Sequence, residues 1–214
     1  MARSEAARTA LLDTAERLFA QHGVASVSDR RVADEAGNTN HSAVRYYFGD
    51  RDGLLRALLE RHTNAVEAIR IQSPAEEDTI LGDIRTLVMP SISMLATLPR
   101  PSWRARFTAQ SMHEPGLREL KRELLTSSTV FGQRVRSLTE RLSHLDRSVV
   151  QGRAILISRL VLSTTAEYEA KTEREGIEPC WPEVGSFLAD AIAGMLSAPV
   201  TNPVGSAPLG ADEL

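Results

Sequence analysis

Between Gly37 and Gly49 the chain has no aspartate or glutamate, and its one formal charge is Arg45. Around that arginine stand Asn38, Thr39, Asn40, His41, Ser42, Tyr46 and Tyr47, every one a hydrogen-bond donor. Side chains of these types bond to phosphate oxygens and to the donor–acceptor edges of bases. A polyphosphate repels carboxylates, so an acid-free stretch is the weaker form of a basic patch. The flanks differ: arginines and acids balance at eight each over residues 1 to 56, so the local domain is neutral while this stretch is cleared of acid. The same residues would also suit a plain solvated turn. The elements that hold them decide between the two.

Residues 28 to 48 have the anatomy of a helix-turn-helix. Ser28 is a good N-cap for a short helix, Asp29 to Ala36, with Val32, Ala33 and Ala36 inward. Gly37-Asn38-Thr39 is a turn signal. A second short helix is expected from about His41 to Phe48, capped by Asn40. Val44 and Phe48, four apart, would pack inward and leave Asn40, His41, Ser42, Arg45 and Tyr46 outward, with Thr39 at the turn. The major groove of B-DNA admits one helix, and a short helix presents its first turn and one face to base edges.

The rest of the chain reads as helix, which makes the fold all-α. Ser4 to Gln21 carries Leu11, Ala15, Leu18 and Phe19 on one stripe and stops at Gly23. Arg51 to about Gln72 is the next helix. Ser73-Pro74 should cap another that reaches Leu98, kinked or divided at Pro90. Trp103 to Met112 is short, and Pro115-Gly116 should end it. Leu117 to Leu142 follows steps of three and four as one long amphipathic helix. Asp146 to Glu175 is apolar nearly all round at its middle, so it must bury more than one face. Trp181 to Leu196 is the last helix. From Ala198 the composition turns to Pro, Gly, Ala and Ser, the signature of a disordered tail.

Leu11-Leu12-Asp13-Thr14-Ala15 through Leu18-Phe19-Ala20-Gln21-His22-Gly23, then Arg31-Val32-Ala33-Asp34-Glu35-Ala36-Gly37, then Tyr46-Tyr47-Phe48 and Arg51-Asp52-Gly53-Leu54-Leu55 resemble the N-terminal domain of the TetR regulator family. Three features differ from the family pattern: a turn one residue longer over Asn38 to Ser42, polar Asn38 in place of an apolar residue, and Arg45 where an aromatic is frequent. The resemblance implies a three-helix DNA-binding domain over residues 1–50 and a helical bundle for sensing and dimerisation over 51–197, with 198–214 as tail. It also implies an Ω-shaped homodimer that binds near-palindromic double-stranded operator DNA, as a repressor released by a small-molecule effector. By the same resemblance Arg30 and Arg51 would touch phosphates, and Tyr46 and Tyr47 would pack under the recognition helix and reach the backbone. The dimer interface would be a four-helix bundle of the last two helices of each subunit, through Ile157, Val161, Tyr168, Val184, Phe187, Leu188 and Ile192.

Met89, Trp103, Phe107, Met112 and Phe131 are candidate pocket residues, because aromatics and methionines suit adaptable apolar sites, and His113 could hydrogen-bond a ligand there. Each is also an ordinary core type. No Gly-rich phosphate loop, paired metal ligands or Ser/His/Asp arrangement stands in the chain, so neither an enzyme nor a cofactor or metal is expected. The single cysteine, Cys180, cannot form an internal disulfide, and no apolar stretch is long enough for a membrane span, so the cytosol is the expected location. A rival reading is an interaction protein of the same fold that has lost DNA binding. Activation in place of repression would use the same contacts.

Overall fold

A computed structural model describes residues 2–74, 76–126 and 128–201. The expected tail lies outside the described residues from position 202 onward. Every regular element among the described residues is helical, as the periodicity implies: α1 (Ala2–His22), a 3-10 turn (Val24–Ser26), α2 (Asp29–Glu35), α3 (Ala43–Phe48), α4 (Arg51–Gln72), α5 (Ile80–Ala96), α6 (Arg104–Ser111), α7 (Pro115–Thr126), α8 (Thr129–Arg141), α9 (Arg147–Glu175) and α10 (Trp181–Ser197).

These helices form two compact units whose segments alternate along the chain. The first takes the described residues up to Ala65, then Pro99–Leu124 and Ala166–Ile177; the second takes Val66–Leu98, Leu125–Thr165 and the described residues from Glu178. In the first unit α1 supplies the centre of the core. Leu11, Ala15, Leu18 and Phe19 are fully buried, together with Val32 and Ala33 of α2, Val44 of α3 and Leu54 and Leu58 of α4. Each such Leu, Val or Phe contributes about 1.5–3 kcal/mol by leaving water, which anchors the short helices α2 and α3 that could not stand alone. Phe107 of α6 stacks on Phe19 with ring centroids 6.1 Å apart. The N-cap of α6, Trp103, makes no side-chain cap. Buried Glu169 of α9 takes over that task, accepting the Ala105 and Arg106 backbone N–H groups at 3.2 and 3.0 Å and the Ser102 hydroxyl at 2.8 Å.

In the second unit α10 packs along α5, and Gly185 lets the two helices approach. A Cβ there would come within 2.8 Å of Met89 Sδ and 3.0 Å of Ile92 Cγ2. α8 is tied to α5 by Asp83, a fully buried carboxylate that accepts from Ser137 Oγ at 2.8 Å and Arg141 Nε at 3.0 Å, with Arg134 Nη1 at 3.4 Å. Donors of that number offset the cost of taking a carboxylate out of water.

Three expectations need correction. α5 begins at Ile80, capped by Thr79, whose hydroxyl accepts the Gly82 N–H at 3.0 Å, and it continues through Pro90 to Ala96 as one helix. The apolar stripe from Leu117 to Leu142 is divided between α7 and α8, because Ser128 caps a new helix by accepting the Phe131 N–H at 3.0 Å. Pro115 opens α7, a position where its missing N–H costs nothing.

Candidate nucleic-acid interface

The geometry of the helix-turn-helix starts with how α2 ends. Ala36 follows α2, and Gly37 then takes φ +67°, a left-handed conformation that favours glycine. Gly37 N donates to Asp34 O at 3.1 Å and Asn38 N to Ala33 O at 3.0 Å, which satisfies the last carbonyls of α2. The start of α2 is held as expected, with Ser28 Oγ accepting the Arg31 N–H at 3.2 Å. α3 starts later than expected. Asn38 Oδ1 accepts from Asn40 N at 3.0 Å and Asn40 Oδ1 from Ser42 N at 2.9 Å, so two successive asparagine side chains build the turn and the helix opens at Ala43. The joint to α4 is tight: a Cβ on Gly53 would lie 1.9 Å from the Phe48 carbonyl oxygen, and Asp50 Oδ1 caps α4 by accepting the Gly53 N–H at 2.8 Å.

α3 buries Ala43 and Val44 and half-buries Tyr47 and Phe48 against the first unit's core. The opposite face carries Arg45 and Tyr46, and the turn before it carries Thr39, Asn40, His41 and Ser42, all exposed. Tyr46 is 75% exposed, its ring meeting Tyr47 edge to face at 4.9 Å between centroids. Of the expected aromatic pair, then, Tyr47 packs beneath the helix and Tyr46 projects. The Arg45 side chain makes no ion pair or hydrogen bond among the described residues. His41 does: its Nδ1 lies 2.7 Å from Asp34 Oδ1. The stretch that is acid-free in sequence therefore has one carboxylate beside it in space, contributed by α2, which no linear reading of residues 37 to 49 detects.

The arginines around this face divide sharply. Arg31 Nε and Arg17 Nη2 hold the two oxygens of Glu35 at 2.9 and 2.8 Å, and those two guanidinium groups, Arg31 foremost, hold the Glu35 carboxyl below its ordinary range. Arg30 is largely exposed, with only a loose 3.7 Å approach to Asp34. Arg51, expected at phosphate, is turned inward. Its Nη1 donates to Asp29 Oδ1 at 2.8 Å, its Nη2 to the Val24 carbonyl, and its plane lies 4.9 Å from the Phe19 centroid. Both of these hydrogen bonds lie within its own unit, so Arg51 braces the start of α2 against α4.

The remaining candidates fall into separate places. Phe107 is fully buried core against Phe19, half-buried Trp103 lies 4.4 Å under the Arg106 guanidinium, half-buried Met112 is beside Lys121, and His113 is exposed, all in the first unit. Met89 fills the seam at Gly185 and Phe131 lies 5.2 Å under the Arg70 guanidinium, both in the second unit. Leu188 and Ile192 are fully buried in their own unit, where α10 meets α5, and so are not available on the surface. Phe187, at 72% exposed, lies on the outer face of α10, with Val184 half-buried, and on α9 Leu156 and Leu160 are exposed beside half-buried Ile157 and Val161. Tyr168 is half-buried in the first unit. Cys180 is exposed, and the Glu183 carboxylate beside it pushes its thiol pKa up, against thiolate chemistry. No group of three or more His, Cys, Asp or Glu among the described residues is placed to hold a metal ion, and no described helix is long and apolar enough to cross a membrane.

Residues 11–58 match the family described as bacterial regulatory proteins, tetR family. The HTH-type transcriptional regulator BetI of Burkholderia mallei (strain NCTC 10229) is 33% identical over 122 residues, which are 55% of this chain and 61% of that protein. BetI of Ectopseudomonas mendocina (strain ymp) is 31% identical over 106 residues, 48% of this chain and 53% of the relative. The matched part of the chain thus spans about three fifths of the first of these relatives. A crystal structure described as a TetR-family transcriptional regulator from Rhodococcus sp. shares the fold, with TM-score 0.54 over 89% of this chain and 99% of that one, at 21% identity.

Proposed function

We propose that this chain, whose residues 11–58 match the tetR family, is a dimeric transcriptional repressor that binds a near-palindromic operator through α3 and leaves it when a small-molecule effector binds. The observation that carries this reading is the outward face of α3. An unpaired Arg45 and a projecting Tyr46 stand on a helix whose other face is locked into the core. An arginine in that position donates two parallel hydrogen bonds to a guanine edge or meets phosphate, and Thr39, Asn40, His41 and Ser42 lie where the first turn enters the groove. Arg30 lies free enough to reach phosphate. Dimerisation is supported by the apolar residues that α9 and α10 leave exposed, Leu156, Leu160 and Phe187. A two-fold pair sets its recognition helices roughly 34–36 Å apart, or a multiple, to match successive major grooves. An effector that favours a conformer with α4 swung changes that separation, a coupling of about 1–3 kcal/mol that operator DNA must return by weakening effector binding. The cytosol, where DNA and metabolites meet, is the proposed location.

The test is footprinting of the purified protein on DNA upstream of its own gene, with affinity measured across a salt series. A symmetric footprint, with binding that survives competitor DNA and tightens as salt falls, supports the reading. Weak binding, equal on random DNA, contradicts it and favours a protein of the same fold that has given up DNA.

A further inference from the structure

The arginines of the first unit divide by what holds them. Arg17, Arg31, Arg51 and Arg61 each hold a carboxylate, at 2.8, 2.9, 2.8 and 2.6 Å. Arg8 of α1 holds none. Among the described residues its guanidinium makes no ion pair and no hydrogen bond, and Glu5, three residues earlier on the same helix, is exposed and does not pair with it. It lies instead over the Phe48 ring, with Cζ 5.1 Å from the centroid. No described oxygen takes any of its five N–H donors.

That contact fixes where the charge stands. Phe48 is the last residue of α3, three after Arg45 and so close to one helical turn beyond it. Its ring approaches that of Tyr47 at 6.4 Å between centroids, and Tyr47 meets projecting Tyr46 at 4.9 Å. A row of ring contacts thus links Arg8 to the outward side of α3. The major groove of B-DNA is about 12 Å wide, and a helix with its side chains is about 10–12 Å across. A helix seated in the groove therefore fills it. Groups on its outer face meet base edges, and groups that flank its ends meet the phosphate walls. Arg45 and Tyr46 occupy the face, and Arg8 flanks the end. Held on the ring, the Arg8 side chain has already given up rotamer freedom that binding an anion would otherwise cost.

We propose that Arg8 binds a phosphate of the DNA backbone beside the groove that α3 enters, and that Phe48 is the seat that holds it there. The guanidinium fork suits two phosphate oxygens and carries no preference for a base. α1 then serves two partners: its apolar stripe supplies the core, and its first turns add a cation to the DNA face. The inference rests on the proposed reading of the chain as a DNA-binding regulator, and it adds a contact that supplies affinity and register without reading sequence.

The test is fluorescence anisotropy across a salt series for the wild type, Arg8→Ala and Arg8→Lys. Each is measured on a duplex from upstream of the gene and on a random duplex of the same length, with a thermal melt of each protein. Arg8→Ala should weaken binding to both duplexes by a similar factor, about tenfold, and lower the slope of log affinity against log salt by about two, one phosphate for each subunit of a dimer. Arg8→Lys should keep most of the slope, because an ammonium also neutralises a phosphate. An unchanged slope in Arg8→Ala, a loss confined to the upstream duplex, or a slope lost equally in Arg8→Lys overturns the assignment. A lower melting temperature with DNA binding intact also overturns it, and leaves Arg8 as a staple on Phe48. Wild-type protein that binds neither duplex defeats the regulator reading and this contact with it. Wild-type binding that Arg8→Ala matches at every salt defeats the contact alone.

Discussion

α2 and α3 are neighbours of similar length, both anchored by buried alanine and valine, yet they use their polar side chains in opposite ways. Apart from exposed Arg30, α2 directs its charge back at the protein: Arg31 and Arg17 share Glu35, and Asp29 takes Arg51. α3 and the turn before it leave Arg45, Tyr46 and Ser42 outward, with His41 alone tied back to Asp34. The difference separates a brace from a reader. A helix that must hold an angle needs its charges satisfied within the fold. A helix that meets a partner needs them unsatisfied until the partner arrives.

Ways to break this contrast can be ranked by size. Gly53→Ala should do most damage, because a Cβ 1.9 Å from the Phe48 carbonyl forces the end of α3 away from α4. A loss of about 3 kcal/mol or more in chemical denaturation is expected, with DNA binding lost alongside. A variant with wild-type stability would show that the joint is loose. Ser28→Ala removes the N-cap of α2 and should cost about 1 kcal/mol, while DNA affinity under folding conditions stays the same. Affinity that fell further than stability would make α2 more than a brace. Asp34→Asn takes the carboxylate from beside His41 and should tighten DNA binding by about threefold at low salt, with the gain fading as salt screens it. Weaker binding in that variant would mean that the Asp34–His41 pair positions the histidine for DNA.

What the residue pattern revealed and what it hid follow one division. The inward faces of α1, α2 and α3 were legible because Leu11, Val32, Ala33 and Val44 recur at helical spacing, and burial enforces that spacing. The start of α3 was not, because Asn40 suits a helix cap and an asparagine turn equally, and only the Asn38-to-Asn40 bond selects the turn. The break between α7 and α8 was hidden by an apolar stripe that continues in phase across it, with Ser128 as the one local sign. Asp34 beside His41 joins α2 to the turn that follows it, and Arg51 on Asp29 joins α4 to α2. Spacing along one helix carries no information about which charge a different helix supplies. Leu188 and Ile192 show the same limit, since a stripe on α10 identifies a buried face but not whether α5 or a second subunit covers it.

The central claim is that α3 meets DNA and α2 supports it, and two arginine variants measured side by side test it most directly. Fluorescence anisotropy on operator DNA and thermal melting would be run on Arg45→Ala and Arg31→Ala. Arg45→Ala should lose about tenfold or more in operator affinity, consistent with about 1–3 kcal/mol for one base-reading arginine, with an unchanged melting temperature. Arg31→Ala should melt lower and keep its affinity once folded. The reverse pattern, with Arg45 dispensable for DNA and Arg31 essential to it, would contradict the account.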